Sequence, residues 1–121
     1  MFFYGTLMSP DVFLQVTGHV LKATKASLSG YQIYSLKDRP YPAIIPQANS
    51  DVKGLLVSVN DYVLDKLDWY EGPEYQRKKI RVIDIAGAEA EAFSYILKEG
   101  EYGILDHEGW NFDDFQKEEL I

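Results

Sequence analysis

From residue 75 to residue 97 the chain alternates apolar and polar side chains on both sides of Ala86-Gly87-Ala88. In the first run Ile80 and Val82 fall on one side, with Arg81, Ile83 and Ile85 on the other. In the second run Ala90, Ala92, Ser94 and Ile96 oppose Glu91, Phe93, Tyr95 and Leu97. A period of two interrupted by a glycine turn excludes a helix there and predicts an antiparallel hairpin. A lone hairpin is barely stable in water, so further strands or helices must cover its apolar face.

The rest of the chain supplies them. Residues 2–4 read as a short buried strand, and 24–36 alternate enough for strands with a bend at Gly30. Residues 52–59 form another, in which the lone Gly54 signals a bulge or a close backbone approach. Pro40, Pro42 and Pro46 make residues 38–46 a loop or an edge segment. Ser9-Pro10-Asp11 starts a helix that Gly18 ends, with an apolar stripe of Val12, Phe13 and Val16. Asn60 or Asp61 caps a second helix, which runs to about residue 70 and stops at Gly72-Pro73. The expected fold is α+β: five to seven mostly hairpin-connected strands with two or three short helices, either an open sheet or a small barrel. Residues 1–121 make one domain. Within it, residues 98–121 are a tail docked through Trp110, Phe112, Phe115 and Leu120.

Charge and composition narrow the function. The 12 basic and 19 acidic residues give a net charge of −7, which weighs against nucleic acid and anionic membrane as partners and favours a monomer. With no cysteine there is no disulfide, thiolate metal site or cysteine nucleophile. His19 and His107 have no ligand spacing around them, so no metal is expected. The start lacks a basic region and a long apolar run, and no stretch is long enough to span a bilayer. A cytoplasmic location is the expectation.

Two segments can carry chemistry. Tyr4-Gly5-Thr6-Leu7 reads as a strand ending in a glycine turn, whose outward N–H groups can hold a carboxylate. On the second helix Val63, Leu64, Leu67 and Tyr70 form an apolar stripe that Glu71 continues, while Asp61, Asp65 and Asp68 take the solvated side. Burial raises the pKa of a carboxyl, and an acid raised toward neutrality can take and return a proton. The same periodicity also fits an ordinary helix-end acid that bonds a nearby N–H or pairs with Arg77 or Lys78. Tyr75 can reach the same place from the next strand or be a plain strand aromatic, and Arg77 reads as structural.

Several segments together resemble a known family. They are Tyr4-Gly5-Thr6-Leu7, Gly30-Tyr31-Gln32-Ile33-Tyr34, Tyr41-Pro42-Ala43-Ile44-Ile45-Pro46, Val52-Lys53-Gly54-Leu55, Leu67-Asp68-Trp69-Tyr70-Glu71-Gly72, Tyr75-Gln76-Arg77 and Ala92-Phe93-Ser94-Tyr95. In order and spread they are similar to the gamma-glutamylcyclotransferase-like family. The branch is that of the plant avirulence-induced-gene-like proteins and gamma-glutamylamine cyclotransferase. The resemblance implies a small mixed β-barrel with two or three short flanking helices, Glu71 as catalytic acid/base, Tyr4, Gly5, Thr6 and Leu7 as the substrate-binding loop, and Tyr75 as a pocket residue. The implied substrate is a small γ-glutamyl compound, which cyclises to 5-oxoproline without a cofactor. That chemistry sits among the acyltransferases and lyases. A non-catalytic module that binds a small carboxylate on the same fold is the alternative.

Overall fold

The computed structural model describes residues 1–106, 109–110 and 112–113. Six strands form one antiparallel sheet: β1 (Phe2–Phe3), β2 (Thr24–Leu36), β3 (Pro42–Leu56), β4 (Tyr75–Asp84), β5 (Glu89–Leu97) and β6 (Leu105–Asp106). The order is β1-β3-β2-β4-β5, with β6 on the far end of β2. Two helices, α1 (Pro10–Thr17) and α2 (Asp61–Glu71), pack on the sheet together with 3-10 turns at Thr6–Met8 and Glu99–Ile104.

The expected α+β class holds, but the barrel does not close and its strands are antiparallel rather than mixed. Among the described residues no backbone ladder joins β5 to β1. Side chains bridge them instead: Ser94 Oγ donates to the Phe2 carbonyl at 2.8 Å, and Tyr4 Oη donates to the Tyr95 carbonyl at 2.6 Å. The sheet therefore curls enough to enclose a core without becoming a cylinder.

That curl buries both faces of β1. In β1, Phe2 and the following Tyr4 point into the curl with Leu28, Ile44, Val52, Val82 and Ile96. Phe3 points the other way, to Leu7, Phe13, Val63, Leu67 and Leu97 beneath the helices. Burial of these side chains, at about 1.5–3 kcal/mol each, is the main favourable contribution to folding. Gly54 is the close approach its isolation implied: a Cβ there would lie 2.1 Å from the Phe3 carbonyl and 2.8 Å from the Phe2 ring.

The hairpin appears as β4 and β5, with the expected faces: Ile80, Val82, Ala92 and Ile96 are buried and Arg81 and Ile83 exposed. The bend at Gly30 is a bulge inside the single strand β2, where the register shifts between Ser29 and Tyr31 and Gly30 takes φ 83°. Residues 42–46 take the edge-segment alternative, because β3 begins at Pro42 and Ala43 and Ile44 are fully buried. That stretch of β3 pairs only with β2, so the missing N–H groups of Pro42 and Pro46 fall on an edge where no ladder asks for them. In the tail, Trp110 Nε1 donates to the Pro40 carbonyl at 2.9 Å and its ring meets Phe112 at 6.3 Å. The docking expected of Phe115 and Leu120 lies outside the described residues, as does His107.

Candidate functional site

Helix α2 delivers Glu71. Asn60 caps its start, its Oδ1 accepting the Val63 N–H at 2.9 Å. Val63 and Leu67 bury its inner stripe, and Gly72, at φ 86°, stops it directly after Glu71. From the other side β1 leads through Tyr4 into the 3-10 turn at Thr6–Met8. Gly5 is needed there, since a Cβ would press on the Pro42 ring at 3.1 Å. The two segments meet around a cavity of about 230 Å³. Tyr4, Gly5, Thr6, Leu7, Glu71 and Tyr75 all line it, and Tyr41, Pro42, Tyr70 and Tyr95 complete the wall.

The expected site residues are thus brought together. The Gly5 and Thr6 carbonyls accept the N–H groups of Met8 and Ser9, both at 3.0 Å, while the N–H groups of Gly5, Thr6 and Leu7 donate in none of the described hydrogen bonds. Thr6 Oγ1 lies 3.3 Å from Tyr70 Oη, tying the turn to α2.

Glu71 is partly buried and makes no ion pair or hydrogen bond among the described contacts. Loss of hydration on burial pushes its pKa up to about 8, with repulsion from Glu74 and Asp68 adding to the rise. Three tyrosines surround it with their hydroxyl protons already committed. Tyr4 donates to the Tyr95 carbonyl at 2.6 Å, Tyr75 to the Pro42 carbonyl at 2.7 Å and Tyr95 to Asp68 Oδ1 at 2.6 Å. Burial, the largest cause, together with the Glu71 charge holds all three phenols above their ordinary range. They stay neutral and offer lone pairs. The site can therefore accept a proton at one carboxyl and accept N–H donors at phenolic oxygens. It also presents backbone N–H groups along the opposite turn.

Sequence reasoning passed over two residues. Tyr95 was a strand aromatic without a role, although its alternation with Leu97 already put it on the helix-covered face. Asp68 is exposed, as its place beside Asp61 and Asp65 implies, and it also bonds Tyr95 and pairs with Arg77 at 3.3 Å, contacts the sequence reading did not foresee. Its spacing of three from Glu71 was the available signal, since such residues are neighbours on a helix. Arg77 spans Asp68 and the Phe93 ring, whose centroid is 5.0 Å away. Among the described residues no group of three or more His, Asp or Glu side chains is placed to hold a metal, and no helix is long and apolar enough to cross a membrane.

Comparison with known proteins adds three findings. The family model described as gamma-glutamyl cyclotransferase, AIG2-like, matches residues 1–112. The chain is 32% identical over 117 residues to AIG2-like protein D of Arabidopsis thaliana, covering 91% of this chain and 77% of that one. It is 33% identical to AIG2-like protein C of the same plant, over all of this chain and 73% of that one. Among solved structures, an Arabidopsis thaliana protein superposes with a TM-score of 0.77 at 27% identity, over 98% of this chain and 80% of the other. A gamma-glutamyl cyclotransferase superposes with a TM-score of 0.70 over 80% of this chain and 64% of that one; at 18% identity this likeness speaks for the fold.

Proposed function

The chain belongs to the gamma-glutamyl cyclotransferase, AIG2-like family, and on that premise we propose that it is a γ-glutamylcyclotransferase acting on small γ-glutamyl amides. The observation that carries the reading is Glu71: a carboxyl raised to about 8 by burial, with no partner cation among the described residues, opening on a cavity it shares with the Tyr4–Leu7 turn.

In the reaction the substrate's α-amine attacks its own γ-carbonyl. A C–N bond closes the five-membered ring, the Glu71 carboxylate accepts the amine proton, and the protonated Glu71 returns it to the departing nitrogen as the old amide bond breaks. The products are 5-oxoproline and a free amine or amino acid, with no net change in protons. The tethered nucleophile brings most of the proximity itself. Glu71, raised to about 8, lies nearer in pKa to the substrate amine than an ordinary carboxyl does, so proton transfer between them is less uphill. A carboxyl at its ordinary pKa would face an uphill transfer of several units. The N–H groups of Gly5, Thr6 and Leu7 receive the α-carboxylate or the developing oxyanion, and the phenolic oxygens of Tyr4 and Tyr75 orient the amine.

The test is to incubate the protein with a panel of γ-glutamyl amino acids and γ-glutamyl amines and assay 5-oxoproline. Release from at least one, lost in Glu71→Gln, is the expected result. Tight binding of 5-oxoproline with no release from any member would instead identify a binding module.

A further inference from the structure

Asp68 is placed one helical turn before Glu71 and is held from two sides. Tyr95 Oη donates to its Oδ1 at 2.6 Å from β5, and Arg77 pairs with its Oδ2 at 3.3 Å from β4. Arg77 and Tyr95 are themselves register partners in the β4–β5 ladder. Both bonds thus run from one rung of the sheet to one residue of α2. The Arg77 guanidinium is further fixed over the Phe93 ring at 5.0 Å. Tyr95 is also a wall of the cavity, and its carbonyl receives the Tyr4 hydroxyl at 2.6 Å. Tyr95 thus anchors α2 through its hydroxyl and holds Tyr4, which leads into the turn, through its backbone carbonyl. A surface aspartate serving only solubility would need none of these contacts.

We propose that Asp68 is a positioning residue for Glu71: clamped by Tyr95 and Arg77, it fixes the last turn of α2 over the cavity. Its negative charge lies among other groups facing the same carboxyl, all of which bear on the balance. Glu74 follows on the chain and repels Glu71 in the same sense as Asp68. Tyr4 from β1, Tyr75 from β4 and Tyr95 from β5 are neutral phenols coupled to Glu71, with Tyr41 and Arg39 acting on Tyr75 from the β2–β3 connection. Arg77 opposes the acids through its bond to Asp68. Asp68 and Arg77 are thus opposed settings of one control, and their removal must move Glu71 in opposite directions.

Asp68→Asn keeps an oxygen for the Tyr95 hydroxyl and removes the charge. Glu71 then loses a repelling neighbour and ionises more readily. The rising limb of kcat/KM shifts to lower pH by about half a unit to one unit, the size of one partly screened charge at helix-neighbour distance. Arg77→Gln removes the opposing charge, and the limb shifts to higher pH by about a few tenths of a unit, because the site is exposed enough for solvent to screen it. Asp68→Ala deletes the clamp's acceptor as well, so kcat falls by roughly tenfold more than in Asp68→Asn, the usual cost of loosening a positioned group.

The kinetic arm rests on the cyclotransferase reading, so the same variants are titrated at the Glu71 carboxyl by carbon-13 NMR without substrate. If the wild type releases no 5-oxoproline, that reading fails while the NMR shifts still decide the coupling. Opposite displacements in Asp68→Asn and Arg77→Gln support the proposal. A Glu71 titration that stays put or moves the same way in both overturns it, as does an equal loss of kcat in Asp68→Asn and Asp68→Ala. Arg77→Gln touches a half-exposed side chain and remains an informative folded variant if Asp68 substitutions disturb packing.

Discussion

The two ends of the β4–β5 hairpin treat charge in opposite ways. Toward the turn, Lys79 faces Glu91 at 3.5 Å and Arg81 faces Glu89 at 3.4 Å, each side chain more than half exposed. Every acid in those two pairs has its cation, and water screens both, so each pair contributes no more than about 1 kcal/mol. At the other end Glu71 and Glu74 line one cavity with Asp68 one helical turn away, and Arg77 is the cation that pairs with a carboxyl there among the described ion pairs. Glu71 is left uncompensated and partly desolvated, an arrangement that costs stability. A sheet that can place complementary charges at one end has no structural need to omit them at the other. The contrast makes the cavity end a place where stability gives way to chemistry.

The sharpest way to break this contrast is Glu71→Gln. It keeps the shape and removes the proton carrier, so turnover should fall by at least about a hundredfold with the fold intact, the reach of a lost general acid/base. Near wild-type release of 5-oxoproline would place the chemistry elsewhere. Next comes Tyr75→Phe, which takes the hydroxyl from the Pro42 carbonyl at the cavity wall. Denaturant unfolding should register a loss of about 1–3 kcal/mol, as for a buried acceptor deprived of its donor.

The pH dependence of stability sharpens the comparison further. Glu71 has its folded pKa, about 8, above the ordinary carboxyl value of 4.5. Between those values the folded chain keeps a proton that the unfolded chain has released. The contribution of Glu71 is therefore full below the lower value, falls as pH rises through the window and levels off above the upper one. The difference in unfolding free energy between wild type and Glu71→Gln should decline across that window by at most on the order of 1 kcal/mol per pH unit. The smallest effect belongs to the turn end. Lys79→Gln and Arg81→Gln should each change stability by no more than about half a kcal/mol and leave turnover unaltered. A turn-end substitution matching the cavity-end effects would erase the distinction.

Much of this was legible in the sequence because local rules carry it. The alternation on either side of Gly87 set both faces of the hairpin. Asn60 and Gly72 set the ends of α2, and the apolar stripe through Leu67 brought Glu71 to the covered side. Gly54 declared a close approach because nothing larger fits beside the Phe3 carbonyl. What was not legible depends on chain pairing. Pro42 and Pro46 look like loop residues until β3 is known to have one neighbour at that point. Asp68 is exposed as its helix position implies, but its partners Arg77 and Tyr95 are known only once β4 and β5 are paired. Closure of the barrel, likewise, depends on how far the sheet curls between β5 and β1.

The central claim is that the fold holds Glu71 neutral at physiological pH and ready to exchange a proton. Titration of its side-chain carboxyl by carbon-13 NMR, in the protein without ligand, tests that directly. The account expects an inflection far above the ordinary carboxylate range, near 8. An inflection at or below about 4.3, the value of a free glutamate, would show a solvated or ion-paired carboxylate and contradict it.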